Sequence, residues 1–253
     1  MTQPGLQDFV QLWVYLSATP LFGLTATLVT YLLAQAFYQR CQQAPWANPV
    51  AWTVLTLAGL LTVSGTPYPT YFSGAQFIHF LLGPAVVAMA WPMWQRRAEL
   101  RLRALPLLAA ALAGGTVAAT GAVAIGWALG LPADVLASLA PKSVTAPVAM
   151  GIAAQLGGIP ALAAVFAVLT GLVGAVSAKY LLDALRIQSP EVRGFALGTA
   201  SHGVGAARAL QVHPAAGAYA ALALGLQVVL AALLMPLFGP LLAPLLAPLL
   251  KFF

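Results

Sequence analysis

Acidic side chains are almost missing from this chain. Asp8, Glu99, Asp134, Asp183 and Glu191 are the only five in 253 residues, and with 11 lysines and arginines they bring the charged fraction to 6%. Ordinary soluble domains carry about 25%, so a water-facing surface cannot be built from this composition. The scarcity also narrows the chemistry. No carboxylate pair lies near a nucleophile, and no Gly-x-Ser-x-Gly, His-Glu-x-x-His or phosphate-loop pattern occurs. Ser143 follows Lys142 as in a Ser–Lys dyad, but adjacent residues of a helix do not face each other. No enzyme, catalytic residue, metal site or cofactor is expected. Cys41 is the single cysteine, which rules out an internal disulfide and a thiolate cluster. Met1 to Gln11 holds no lysine or arginine, so the basic start of a cleavable signal is lacking and the first apolar run is expected to be retained.

What the chain does have is apolar length, with 61% hydrophobic residues. A membrane span needs about 20 of them. Runs at 12–37, 50–65, 72–95, 104–130, 134–156, 160–185, 192–211 and 216–250 qualify or nearly so. The expected fold is an all-α polytopic membrane protein of about 6–8 transmembrane segments, some interrupted or re-entrant. Residues 1–253 are expected to form a single integral membrane domain. The net charge of +6 does not point to nucleic acid, because Arg40, Arg96, Arg97, Arg101, Arg103, Arg186 and Arg193 flank the apolar runs as positive charge retained on the cytoplasmic side does.

That charge pattern sets an orientation. With Arg40 and the Arg96–Arg103 cluster inside, the N-terminus is outside and the first three runs cross as simple helices. Tyr68 and Tyr71 then fall at the outer interface and Trp91 and Trp94 at the inner one. If 134–156 were a full crossing, Lys179, Arg186 and Arg193 would lie outside; a segment that enters from outside and turns back keeps Arg186 and Arg193 inside. Pro141 and Pro147 bracket Lys142 and predict that 134–156 is not one uninterrupted helix. A broken crossing helix is the alternative to a re-entrant one.

Two polar passages interrupt the apolar runs: Pro141-Lys142-Ser143-Val144-Thr145-Ala146-Pro147 and Gly198-Thr199-Ala200-Ser201-His202-Gly203-Val204-Gly205-Ala206-Ala207-Arg208. A cation inside a span costs about 2.5–3.5 kcal/mol on insertion scales and rarely faces lipid. Lys142 offers a mobile positive charge and Ser143 and Thr145 hydroxyls, beside the N–H groups of a half-helix start. Arg208 can hold a carboxylate bidentately, and His202 can bind a substrate hydroxyl or take up a proton. Thr199 and Ser201 complete the candidate substrate-binding set, and the two passages are expected to lie close together. Each residue has a structural alternative: Lys142 can snorkel, His202 can bond between helices, Arg208 can end a span, and the hydroxyls can cap or back-bond. His79 is read as structural and His213 as a loop residue. On a regular helix over 192–211, Gly194, Gly198, Ser201, Gly205 and Arg208 would share a face within about 80°, with Gly203 and Gly205 as places for a break.

A weak internal echo links Leu82-Gly83-Pro84-Ala85-Val86-Val87-Ala88-Met89-Ala90 to Thr145-Ala146-Pro147-Val148-Ala149-Met150-Gly151-Ile152-Ala153, as inverted repeats over about 12–97 and 104–235 would. Residues 236–253 form a tail with proline at 236, 240, 244 and 248, where a straight helix is not expected and Lys251 can reach headgroups.

The run from Pro141 to Met150, Gly157-Gly158-Ile159-Pro160-Ala161-Leu162, Arg193-Gly194 and the run from Gly198 to Ala209 resemble the LrgB/CidB family. Asn48-Pro49, Gly65-Thr66-Pro67-Tyr68 and Phe80-Leu81-Leu82-Gly83-Pro84-Ala85 extend the likeness, which covers about Leu12 to Leu237. The resemblance implies a bacterial inner-membrane protein working with a small LrgA-like, holin-like partner. It implies either a secondary transporter for small monocarboxylates such as glycolate, glycerate or pyruvate, or a modulator of murein hydrolase export and autolysis. The partners expected are the lipid bilayer, the LrgA-like protein, a small carboxylate solute and further copies of the chain, with a proton or sodium ion as coupling ion.

Overall fold

The computed structural model describes residues 20–81, 84, 87–88 and 90–250, with the side chains of Pro20, His79, Pro92 and 238–250 outside that description. The chain is a multi-pass membrane protein, and its described residues are helical throughout apart from turns. Among the described residues, four helices are long and apolar enough to span a bilayer: Leu21–Arg40, Ala104–Ala128, Pro160–Ala184 and Pro214–Leu237. The chain divides into two compact units, Met1–Ala88 and Met89–Phe253.

The first unit holds α1 (Pro20–Arg40), a 3-10 turn (Pro45–Ala47), α2 (Pro49–Ser64) and α3 (Tyr68–Phe80). Asn48 starts α2 by accepting the Val50 and Ala51 N–H groups at 2.9 and 3.1 Å, and Pro49 supplies a first-turn residue that has no N–H to satisfy. Gly65 ends α2 in the left-handed conformation, φ 63°. α1 and α3 touch where Gly23 lies under the Tyr71 carbonyl and Thr27 Oγ1 sits 2.7 Å from the Tyr71 hydroxyl.

The first expected span, 12–37, is helical from Pro20 and continues to Arg40; residues 12–19 and the acidic N-terminus with Asp8 lie outside the described residues. The expected simple helix over 72–95 is corrected. α3 stops at Phe80 and Leu81 is in a turn; Pro84, Val87 and Ala88 are helical again, ahead of α4 (Ala90–Gln95) and α5 (Arg97–Leu102). Pro84 gives the chemical reason, because it has no N–H for the Phe80 carbonyl.

In the second unit, α4 and α5 lead into α6 (Ala104–Ala128), α7 (Ala133–Leu139), α8 (Ala146–Gln155), α9 (Pro160–Ala184), α10 (Pro190–Val212) and α11 (Pro214–Leu250). The expected interruption of 134–156 is present, with residues 140–145 non-helical between α7 and α8. Ser138 settles what kind of interruption it is. Its hydroxyl donates to the Asp134 carbonyl at 2.7 Å and accepts the Ile159 N–H at 2.7 Å, so the chain leaves α7 and comes back to the same level before α9 begins. Gly158 has no room for a Cβ against Ser138, and Gly126 near the end of α6 lies against Leu136 and Leu139. The end of α6 and the start of α9 are therefore at one end of the unit, with α7–α8 a re-entrant hairpin between them.

α10 is a second hairpin. Ser201 (φ −127°, ψ 19°) and His202 (φ 41°, ψ −136°) are non-helical. Gly205 beyond the break lies against the Leu197 carbonyl before it. Gly194 packs under the Ala216 carbonyl and Leu210 packs on Gly217, which brings both ends of the hairpin to the start of α11. This corrects the single glycine face expected over 192–211: Gly194 and Gly198 meet α11, whereas Gly205 meets the first arm of its own hairpin. The break also falls on Ser201–His202 and not on the glycines.

The two hairpins enter from opposite ends of the second unit. Arg193 pairs with Asp183 at 2.7 Å, and Glu99 accepts the Tyr219 hydroxyl at 2.7 Å and lies 3.0 Å from Arg96 and 3.6 Å from Arg103. The arginines before α6 and those around Asp183 thus share the end at which α10 enters, as the re-entrant placement of 134–156 requires. The prolines of the tail do not stop α11, whose helical backbone runs to Leu250; 251–253 lie outside the described residues. With proline every fourth residue, the missing N–H groups fall on one row of the helix and the other rows keep their bonds.

The seam between α10 and α11 rests on backbone proximity, since a Cβ at Gly198 would run into the Ala220 carbonyl. Gly198→Val should lower stability in detergent by about 1–3 kcal/mol through overpacking, read as a lower unfolding temperature and faster proteolysis of α10. A wild-type melting curve would refute the close seam. Glu99 generates a second expectation. The Tyr219 hydroxyl bond, and then the Arg96 and Arg103 charges, hold its carboxyl below the ordinary value of 4.5 against the opposing effect of burial. A depressed carboxylate contributes stability above its unfolded pKa and loses it as pH falls through the folded one. The wild type should therefore lose stability on acidification below pH 4.5 more steeply than Glu99→Gln, as thermal unfolding across that window will measure.

Candidate polar site at the hairpin tips

Six residues between α7 and α8 make the first tip. Pro141 is fully buried, Val144 is 2% exposed and Ser143 8% exposed, while Lys142 and Thr145 are half-buried. Lys142 Nζ donates to Ser143 Oγ at 3.3 Å, and its backbone N–H reaches the Leu139 carbonyl at 3.2 Å. Thr145 stands at the N-cap of α8 without a side-chain cap bond, and Pro147 sits in the first turn, where a missing N–H is harmless. The tip thus gathers an ammonium group, two hydroxyls and a helix N-terminus that no side chain caps.

The second tip is Ser201–His202. A positive φ at a residue with a Cβ is strained, and the surroundings hold it. His202 Nε2 lies 2.7 Å from the Ala167 carbonyl of α9. A carbonyl can only accept, so the proton is on Nε2 and, in the neutral ring, Nδ1 is left as an acceptor. Gly171 lies under the His202 ring and Gly174 under Ser201 Oγ; neither has space for a Cβ. Breaking α10 also leaves carbonyls at the end of one arm and N–H groups at the start of the next without intrahelical partners.

α9 is the common neighbour of both tips. Val144 packs with Ala149, Ile152, Ala153, Ala163, Ala167 and Ala231 in one buried cluster, and Ala167 is the residue whose carbonyl meets His202. Thr199 lies just before the second tip, 6% exposed, with its methyl group beside Gly114 of α6 and its Oγ1 buried without a hydrogen-bond partner. Arg208 is half-buried on the return arm of α10. Lys142 and Ser143 are therefore joined directly, and Val144 beside them belongs to the buried cluster that includes Ala167, the residue that meets His202. Thr199 and Ser201 flank the same break. Arg208 lies one to two turns beyond it, on the other arm from Thr199.

Four contributors were not singled out from the sequence. Ser138 ties the first hairpin closed, and Gly171 and Gly174 make room for the second tip. Gln227 of α11, 4% exposed, donates to the Ala111 carbonyl at 2.6 Å beside Gly115. The small-residue spacing Ala167, Gly171, Gly174 and the lone amide in an apolar run were the available signals. His213, expected in a loop, is the junction between α10 and α11, where its Nδ1 accepts the Ala215 N–H at 3.1 Å. The side chain of His79, read as structural, lies outside the described residues.

Ser138→Ala removes the acceptor of a buried backbone N–H. It should cost about 1–3 kcal/mol and raise hydrogen exchange at Ile159 and along α8. Unchanged protection there would mean that packing alone holds the hairpin closed.

A protein-family model described as the LrgB-like family matches residues 27–241. The chain is 35% identical over 206 residues to the uncharacterized protein YxaC of Bacillus subtilis, covering 81% of this chain and 89% of that protein. It is 32% identical over 208 residues to YwbG of the same organism, covering 82% and 92%. The holin-like protein CidB of Staphylococcus aureus is 29% identical over 228 residues, 90% of this chain and 96% of CidB. No solved structure matches significantly.

Proposed function

The chain belongs to the LrgB-like family, and from that premise we propose that it is a secondary transporter for small monocarboxylates of the size of glycolate, glycerate or pyruvate. The observation that carries this proposal is a pair of hairpins inserted from opposite ends and both packed on α9, with Val144 of one tip in the buried cluster that includes Ala167 and His202 of the other on the Ala167 carbonyl. Interrupted helices that bring half-helix ends and charges together at membrane depth are how transporters hold small polar solutes. The orphaned Thr199 Oγ1 supports the same proposal, since a buried hydroxyl without a partner awaits a ligand or water.

In this scheme Lys142 supplies the charge that draws in the carboxylate, and Ser143 and Thr145 add hydroxyl bonds beside the uncapped start of α8. Thr199, Ser201 and His202 bind the hydroxyl or oxo end, and Arg208 strengthens the anion site from the return arm. A coupling proton would travel on His202, and a sodium ion would use the carbonyls freed at Ser201–His202. The protein would sit in the bacterial cytoplasmic (inner) membrane with its arginine-bearing end inside. A small LrgA-like membrane protein, and further copies of the chain, would complete the working assembly.

The test is uptake of labelled glycolate, glycerate, pyruvate and lactate into proteoliposomes, with and without the LrgA-like partner. A lost hydrogen bond to a charged group is worth about 1.5–3 kcal/mol, so Lys142→Met and Arg208→Met should weaken apparent substrate affinity about ten- to a hundredfold. His202→Ala should alter the pH dependence of uptake. Wild-type kinetics in all three variants, at equal protein in the membrane, would discard the carrier. The similarity to the holin-like protein CidB favours a second proposal, a membrane modulator of murein hydrolase export and autolysis. It expects release of a trapped dye from the same vesicles without saturable uptake.

A further inference from the structure

Away from the tips, α4, α5, α6 and α11 border an open groove of about 480 Å³ at the arginine-bearing end of the second unit. Its lining includes Met93, Leu107, Leu222 and Leu226 together with Arg97 and Arg101. The two arginines are one turn apart on α5 and so project from the same side of it. We propose that this groove is a binding site for an anionic phospholipid, with one acyl chain along the apolar wall and the phosphate between Arg97 and Arg101.

Charge placement is what selects this occupant. Glu99 is the only acid between Met89 and Ala104, and it is taken up by Tyr219, Arg96 and Arg103. Among the described residues Arg97 and Arg101 have no carboxylate partner. Arg97 is nevertheless fixed: its guanidinium lies 4.6 Å from the centre of the Trp94 ring, and one of its N–H groups donates to the Trp94 carbonyl at 3.0 Å. Stacking on an aromatic face leaves the edge of the guanidinium open for a phosphate. Trp94, Leu102 and Leu105 are 59%, 88% and 78% exposed, which in a bilayer puts apolar side chains at the border between headgroups and acyl chains. A soluble anion would use only the cations, and a neutral lipid only the walls. Basic pockets between membrane helices on the cytoplasmic side take acidic headgroups for this reason.

The experiment is native mass spectrometry of the purified full-length protein, titrated with phosphatidylglycerol or with phosphatidylcholine of identical acyl chains, with sodium phosphate as a third arm. The wild type should retain phosphatidylglycerol in preference to phosphatidylcholine, and phosphate should not displace it. Arg97→Gln/Arg101→Gln should lower phosphatidylglycerol retention about thirtyfold, from the usual worth of two basic residues near an anionic membrane surface. Arg186→Gln, at the same end but outside the groove, should match the wild type. Ala104→Phe keeps both arginines and fills the groove, and it should also lower retention; it decides the matter if the double variant fails to fold. Equal retention of the two lipids by the wild type, displacement by phosphate, or unchanged retention in the variants would overturn the proposal.

Discussion

A polypeptide inside hydrocarbon must satisfy its own backbone, and the second unit of this protein departs from regular helix twice within its spanning bundle. Both departures survive because they are buried in protein. Pro141, Ser143 and Val144 of the 140–145 segment are buried, and Ser201–His202 is held against Ala167, Gly171 and Gly174 of α9. The remaining features of the unit can be understood as arrangements that keep those two broken segments shielded. Ser138 closes one hairpin at its base, and Arg193 with Asp183 braces the other.

Small residues do most of this shielding. Gly194 and Gly198 let α10 lie on the α11 backbone, and Gly114 and Gly115 let α6 approach Thr199 and Gln227. In lipid there is little hydrophobic gain from bringing helices together, so dispersion contacts and interhelical hydrogen bonds must hold them, and short side chains allow both. The Gln227–Ala111 bond is one such contact, made where water cannot compete.

The same packing separates two uses of positive charge. Arg96, Arg97, Arg101, Arg103, Arg186 and Arg193 gather at one end of the second unit, outside the apolar runs. Lys142 and Arg208 are half-buried within hairpins, where a cation is costly unless something negative or polar answers it. Lys142 is answered within the tip by Ser143 Oγ, and in the proposed transporter the substrate carboxylate adds to that answer. At the groove beside α5 the proposed answer is a lipid phosphate, and that site is independent of whether the tips bind a carboxylate.

Much of this was legible in the residues themselves. Near-absence of acids and long apolar runs fix a multi-pass membrane protein, because no other environment accepts that surface. Pro141, Lys142 and Pro147 foretell the break after α7, and the side on which Arg186 and Arg193 must lie favours a segment that turns back. Regular periodicity misled over 192–211, since a face computed for an unbroken helix has no meaning once Ser201 and His202 leave the helical region; no proline or glycine marks either position. In the tail the helical backbone continues to Leu250, because prolines four apart remove bonds from one row only. Spacing alone could not pair Ser138 with Ile159, Gly174 with Ser201, or Ala167 with both tips. Those pairings depend on which backbones approach within hydrogen-bond and van der Waals reach, and that is settled only when the helices pack.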